Sequence, residues 1–197
     1  MDGSSSEEEE PDSQGSYSPS EDSEEHMSED EMSAAEAAVN TFVGHAAGWA
    51  QANAQRITAA YNSDGGWELW LELELYLWLR ANSNLSVSRQ ARSYAGAGAR
   101  QRADLLLDNE VIVELKAETS AEKPHAFAAR VDKDREKVDA IEEPSGSEES
   151  EGESEGGTPA VVVAFVVDEA TAGEMVKLGG FLRRKTPAVD IFFEHTS

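Results

Sequence analysis

Two tracts of this chain cannot help to build a core, and they decide how much of its 197 residues is left to fold. Residues 1–32 are Ser, Glu, Asp, Gly and Pro with almost no aliphatic side chains, and they carry 13 acids and no Lys or Arg. Residues 142–156 hold seven more acids, again without a base. Segments of that composition bury too little apolar surface to offset their ordering entropy. Residues 1–32 are therefore expected to form a disordered acidic tail and residues 142–158 a disordered acidic insertion. Patterned sequence resumes after the insertion, and a long surface loop costs little closure entropy. The expectation is one α/β domain over residues 33–197, interrupted once. The net charge of −24 then becomes local: setting those twenty acids aside leaves 20 acids against 16 Lys and Arg. A balance of about −4 is ordinary for a folded domain and does not exclude an anionic ligand.

The chain has no cysteine, so disulfides and thiolate metal sites are excluded. Met1-Asp2-Gly3 and the acids that follow have neither the basic nor the apolar region of a secretory signal. The longest apolar stretch, residues 160–167, is too short to span a bilayer. A soluble, intracellular protein of cytoplasm or nucleus, with no membrane partner, is expected.

Ser33 and Glu36 have capping-box spacing and open an Ala-rich helical stretch to about Tyr61. Residues 67–80 (WELWLELELYLWLR) are ambiguous. Their leucines alternate strictly, as in a strand, yet Leu and Glu are strong helix formers and no β-branched residue occurs. Residues 85–94, 101–107 and 111–117 read as strands, with a turn at Ala95–Gly98 and a tight loop at Asp108-Asn109-Glu110. A helix over 126–141, a buried strand over 160–167, a short helix over 169–178 and a last strand over 189–194 complete the reading. Arg183, Arg184 and Lys185 are expected in a loop.

The chemically informative stretch is residues 103–118, ADLLLDNEVIVELKAE. Glu114 and Lys116 are two apart on one strand and share a face. If the loop has three residues, Leu107 pairs with Val111 and Asp104 falls opposite Glu114. Two carboxylates then converge beside an ammonium, and like carboxylates that close repel unless a cation intervenes. Two carboxylates and a carbonyl make a hard oxygen site suited to Mg²⁺.

Asp104, nine residues, Glu114, Leu115, Lys116 resembles the motif of the PD-(D/E)xK nuclease superfamily, the restriction-endonuclease-like fold. Its αβββαβ core is a mixed central sheet flanked by helices, with the Asp on the second strand and E-x-K on the third, where the strand reading puts them. Ala103 stands where the superfamily's name has Pro. The resemblance covers about residues 65–167 and turns the ambiguous 67–80 into a helix bearing a further acid, Glu74 first and Glu72 second. It implies Asp104, Glu114 and Lys116 as catalytic residues. It also implies Mg²⁺ (or Mn²⁺) held by Glu74, Asp104, Glu114 and the Leu115 carbonyl, and hydrolysis of nucleic-acid phosphodiesters, with DNA ahead of RNA. Many relatives act as dimers, so a homodimer fits. Arg89, Arg92, Arg100 and Arg102 are the candidate nucleic-acid contacts, and Asp134 and Lys137, at i and i+3, could face the same site.

Plainer readings stand beside these. Glu-x-Lys is common on strands as a cross-strand ion pair, although unpaired charge on a buried strand is expensive. Gly96-x-Gly98 reads as a hairpin turn rather than a phosphate loop. The four tryptophans read as packing residues. The second functional class is a non-catalytic interaction protein on the same fold, regulated by its acidic segments.

Overall fold

The computed structural model describes residues 33–63, 65–91, 102–142 and 159–194. The acidic tail, the insertion from residue 143 on, the 95–98 turn, Arg92 and Arg100 lie outside the described residues. Five helices and six strands follow one another as α1 (Ala34–Ala52), α2 (Ala54–Tyr61), α3 (Glu68–Asn82), β1 (Val87–Ala91), β2 (Ala103–Leu107), β3 (Val111–Ala117), α4 (Pro124–Glu142), β4 (Ala160–Val166), α5 (Glu169–Leu178), β5 (Phe181–Lys185) and β6 (Asp190–Glu194). No described helix is long and apolar enough to cross a membrane.

The strands form one mixed sheet in the order β1-β2-β3-β4-β6-β5. β1, β2 and β3 run as an antiparallel meander. β4 lies parallel to β3, reached through the α4 crossover, and β6 and β5 return antiparallel. Strands with helices on both faces read as continuous apolar runs, and all seven residues of β4 are buried. Each such valine contributes roughly 1.5–3 kcal/mol relative to exposure. The α1, α2 and α3 side packs Phe42, Trp49, Ile57 and Leu75 against one sheet face. Phe127, Val131 and Met175 from α4 and α5 cover the other. The fold is thus three-layered and mixed α/β.

Local chemistry sets the boundaries. Ser33 Oγ accepts from the Glu36 N–H at 3.1 Å and starts α1. Asn53 breaks the expected single helix in two by turning its side chain back onto the Trp49 carbonyl (2.9 Å). Asp108 and Asn109, at φ +51° and +63°, make the β2–β3 loop, a backbone these two side chains tolerate. Segment 67–80 is a helix that buries Leu71, Leu75 and Leu79. Leu69, Leu73 and Leu77 remain exposed at 71%, 39% and 53%. One correction concerns Arg183-Arg184-Lys185, expected in a loop. They end β5, an edge strand whose register with β6 runs Phe181↔Glu194 to Lys185↔Asp190. Basic side chains are a common device for protecting such an edge.

Candidate active site at a fork in the sheet

β3 donates alternately to its two neighbours. The Ile112 N–H goes to Pro159 O on the β4 side at 2.9 Å, so those of Val111, Val113 and Leu115 face β2. The β2–β3 ladder runs Leu107↔Val111, Leu106↔Ile112, Leu105↔Val113 and stops. One more step would set Asp104 against Glu114. There the Asp104 carboxylate itself accepts the Leu115 N–H at 2.8 Å. On the other side, the residue that the β1–β2 register would match to Asp104 is Gln90, which has φ +50°. Among the described residues of β2, Asp104 alone is paired in neither ladder. Non-glycine backbone in that region costs energy and is enriched at working sites.

Burial pushes the Asp104 carboxyl above the usual aspartate range; the Leu115 N–H and Lys116 pull it back, while Glu68 and Glu72 push it up further. Lys116 is 7% exposed. Its ammonium donates to the Leu115 carbonyl at 2.9 Å and bridges Glu68 (3.3 Å) and Asp134 (3.0 Å). Burial opposes the Lys116 charge, but Glu68, Asp134 and Asp104 outweigh it, and its pKa rises. Lys116 is therefore a fixed cation that can hold an anion or orient a water, not a base that takes a proton at neutral pH. Asp134 reaches the cluster from α4 and also receives Lys137; burial raises its carboxyl, yet the two lysines bring it below the usual value. Glu114 is half-buried on β3.

α3 supplies two carboxylates that the sequence reading did not rank first. Glu68 accepts from Lys116, from the Ala117 N–H (3.1 Å) and from Arg130 (2.9 Å). Arg130 also holds Glu122 and the Ala117 carbonyl. Glu72, 1% exposed, takes Arg89 at 2.8 Å and Gln90 at 2.9 Å. Glu74, the first-ranked acid, is not brought to this cluster. It is held at both oxygens by Arg56 of α2, at 2.9 and 2.7 Å, and Arg56 lowers its pKa. Two residues along a helix is a turn of about 200°, so Glu72 and Glu74 face opposite ways. Glu68 and Glu72, four apart, share a face. Among the arginine candidates, Arg89 is committed to Glu72, Arg102 is exposed, and Arg92 and Arg100 lie outside the described residues.

The set fits a hard cation in its donor chemistry: Asp104, Glu114 and the Leu115 carbonyl are all oxygen ligands. Among the described residues, no group of three or more His, Cys, Asp or Glu side chains is arranged to hold a metal. A site here would therefore rest on two carboxylates and a main-chain oxygen that now accepts Lys116.

No protein-family model, no curated protein and no solved structure matches this chain.

Proposed function

We propose that this chain is a metal-dependent nuclease of the restriction-endonuclease-like fold, cutting phosphodiesters of nucleic acid, DNA ahead of RNA, inside the cell. One observation carries the reading. At the fork between β2 and β3, a half-buried, under-neutralised Asp104 lies beside a permanently charged Lys116, and the element order around them is αβββαβ. A perturbed carboxylate next to a committed cation in a broken stretch of sheet is what catalysis needs and what stability alone would remove.

In this reading Asp104 and Glu114, with the Leu115 carbonyl, hold Mg²⁺ or Mn²⁺. The bound ion would polarise the phosphate and make a water more acidic. Lys116 neutralises charge on the phosphate and orients the water; Asp134 holds the ammonium in place. The test is incubation of the whole protein with plasmid, single-stranded DNA and RNA in Mg²⁺, Mn²⁺ or EDTA. Metal-dependent cutting lost in both Lys116→Ala and Asp104→Asn is the expected result. Absence of cutting on every substrate, or cutting that survives both changes, overturns it.

A second reading, a binding protein on an inherited nuclease-like fold, is favoured by the exposed leucines of α3. Residues 69, 73 and 77 form one ridge along the helix, and contiguous apolar surface of this kind marks interaction sites.

A further inference from the structure

Glu68 is held as an anionic ligand would be. One oxygen faces the Lys116 ammonium at 3.3 Å; the other receives the Arg130 guanidinium at 2.9 Å and the Ala117 backbone N–H at 3.1 Å. Two cations and a main-chain donor from separate elements, β3 and α4, converge on one carboxylate. Lys116 is nearly buried, and its charge is fixed by the fold. The acids around the cradle are accounted for individually: Asp134 sits on Lys116, and Glu122 holds Arg130 by its other edge. Asp104 also faces Lys116, and Lys137 shares Asp134. Lys116, Arg130 and Lys137 against Glu68, Asp104, Asp134 and Glu122 leave one net negative charge. A phosphodiester is also a monoanion. Exchanging it for the Glu68 carboxylate leaves that sum unchanged, whereas a phosphomonoester dianion would add a charge.

We propose that Lys116, Arg130 and the Ala117 N–H form the binding site for a nucleic-acid phosphodiester, and that Glu68 occupies it in the free protein and must swing out when substrate enters. The inference rests on the nuclease reading and adds to it a phosphate position and a built-in competitor. Glu68 is suited to leaving. It is the first residue of α3, and its side chain is one third exposed. The helix start does not depend on it, because the adjacent Trp67 is 3% exposed and anchored through its indole N–H to the Glu118 carbonyl. Rotation of the side chain into solvent therefore suffices.

The test reads binding without cleavage. Anisotropy of a fluorescein-labelled single-stranded oligodeoxynucleotide is followed in EDTA at low salt, on the whole protein. Glu68→Gln should tighten binding on the order of tenfold, the scale of one charge-assisted hydrogen bond no longer contested. Glu74→Gln makes the same formal charge change on the same helix, away from the cradle, and should shift affinity less than about twofold. Arg130→Gln placed on Glu68→Gln should cancel the gain, and a methylphosphonate oligonucleotide, which is uncharged, should show none. If Glu68→Gln melts early, Glu68→Asp keeps the charge but shortens the reach, and it should tighten binding in the same direction. Equal shifts from residues 68 and 74, or no shift from 68, overturn the proposal. Its fate is separable from that of the nuclease reading. Lys116-dependent cutting with an unresponsive Glu68 sinks only the displacement, and tighter binding without cutting on any substrate sinks only the catalysis.

Discussion

Two carboxylates lie near the carboxyl end of β3, Glu118 fully buried and Asp104 half-buried, and they have opposite surroundings. Glu118, 1% exposed, accepts from the backbone N–H groups of Val167 (2.7 Å) and Asp168 (2.9 Å) and from the Thr171 hydroxyl. With these bonds it ties β3 to the β4–α5 corner. Among the described residues, Asp104 has one backbone donor and a lysine shared with Glu68 and Asp134, while Glu68 and Glu72 raise its pKa. A buried charge costs free energy unless its hydrogen bonds are complete. Glu118 meets that condition; among the described residues, Asp104 does not. The contrast separates a carboxylate that holds the fold from one that the fold holds ready.

The largest expected effect is at the saturated member. Glu118→Ala strands a fully buried hydroxyl and two backbone donors, and should cost about 3 kcal/mol, lowering the melting temperature by roughly 10 °C. A drop below about 2 °C would mean that water replaces the carboxylate and that the contrast with Asp104 is false. At Asp104 the sign reverses. Asparagine keeps the acceptor for the Leu115 N–H and removes the disfavoured charge, so Asp104→Asn should stabilise by about 1 kcal/mol, roughly 2–4 °C, while abolishing cleavage.

The pH dependence sharpens the same point. The folded-state pKa of Asp104 lies above its unfolded value. Between the two values the folded state binds more protons, so stability contributed by this group rises as pH falls through that window. The advantage of Asp104→Asn should therefore be full above the raised pKa and vanish below the ordinary aspartate range near ~4. Paired melting curves from pH 7 to pH 3 check it; an advantage independent of pH would assign the gain to packing instead of charge.

The strands of the site were legible because local chemistry writes them. Asp108-Asn109-Glu110 demands a short loop, which fixes Leu107↔Val111 and so the register up to Leu105↔Val113. The fork was not legible, since it depends on a side chain replacing a ladder bond and on Gln90 turning to positive φ. α3 shows a different limit. Its six alternating leucines contain two interleaved i, i+4 series, and helical periodicity alone does not say which is buried. Helical spacing does say that any acid aligned with Leu71, Leu75 and Leu79 is Glu68 or Glu72, and that signal was available. Glu118 carried no local signal: its partners lie 49 to 53 residues away, across the acidic insertion. The basic end of β5 read as a loop because charge hides the alternation of a short edge strand.

The smallest expected effect separates the two faces of α3. Glu74 is paired with Arg56, a side chain 53% exposed, which also lies 5.1 Å from the Trp70 ring centroid. An ion pair open to water is screened and carries the entropy of two long side chains, so it adds little stability despite its bidentate geometry. Glu74→Gln should shift the melting temperature by less than about 1 °C. Metal-dependent cleavage should be unaffected, because Glu74 lies on the opposite side of the helix from Glu72 and reaches neither Asp104 nor Lys116. Steady-state cleavage beside a melting curve is sufficient to check it. If Glu74→Gln lost cleavage with its fold intact, the working acid of α3 would face α2 rather than the fork, and Glu68 and Glu72 would have to be read as structural in the way that Glu118 is.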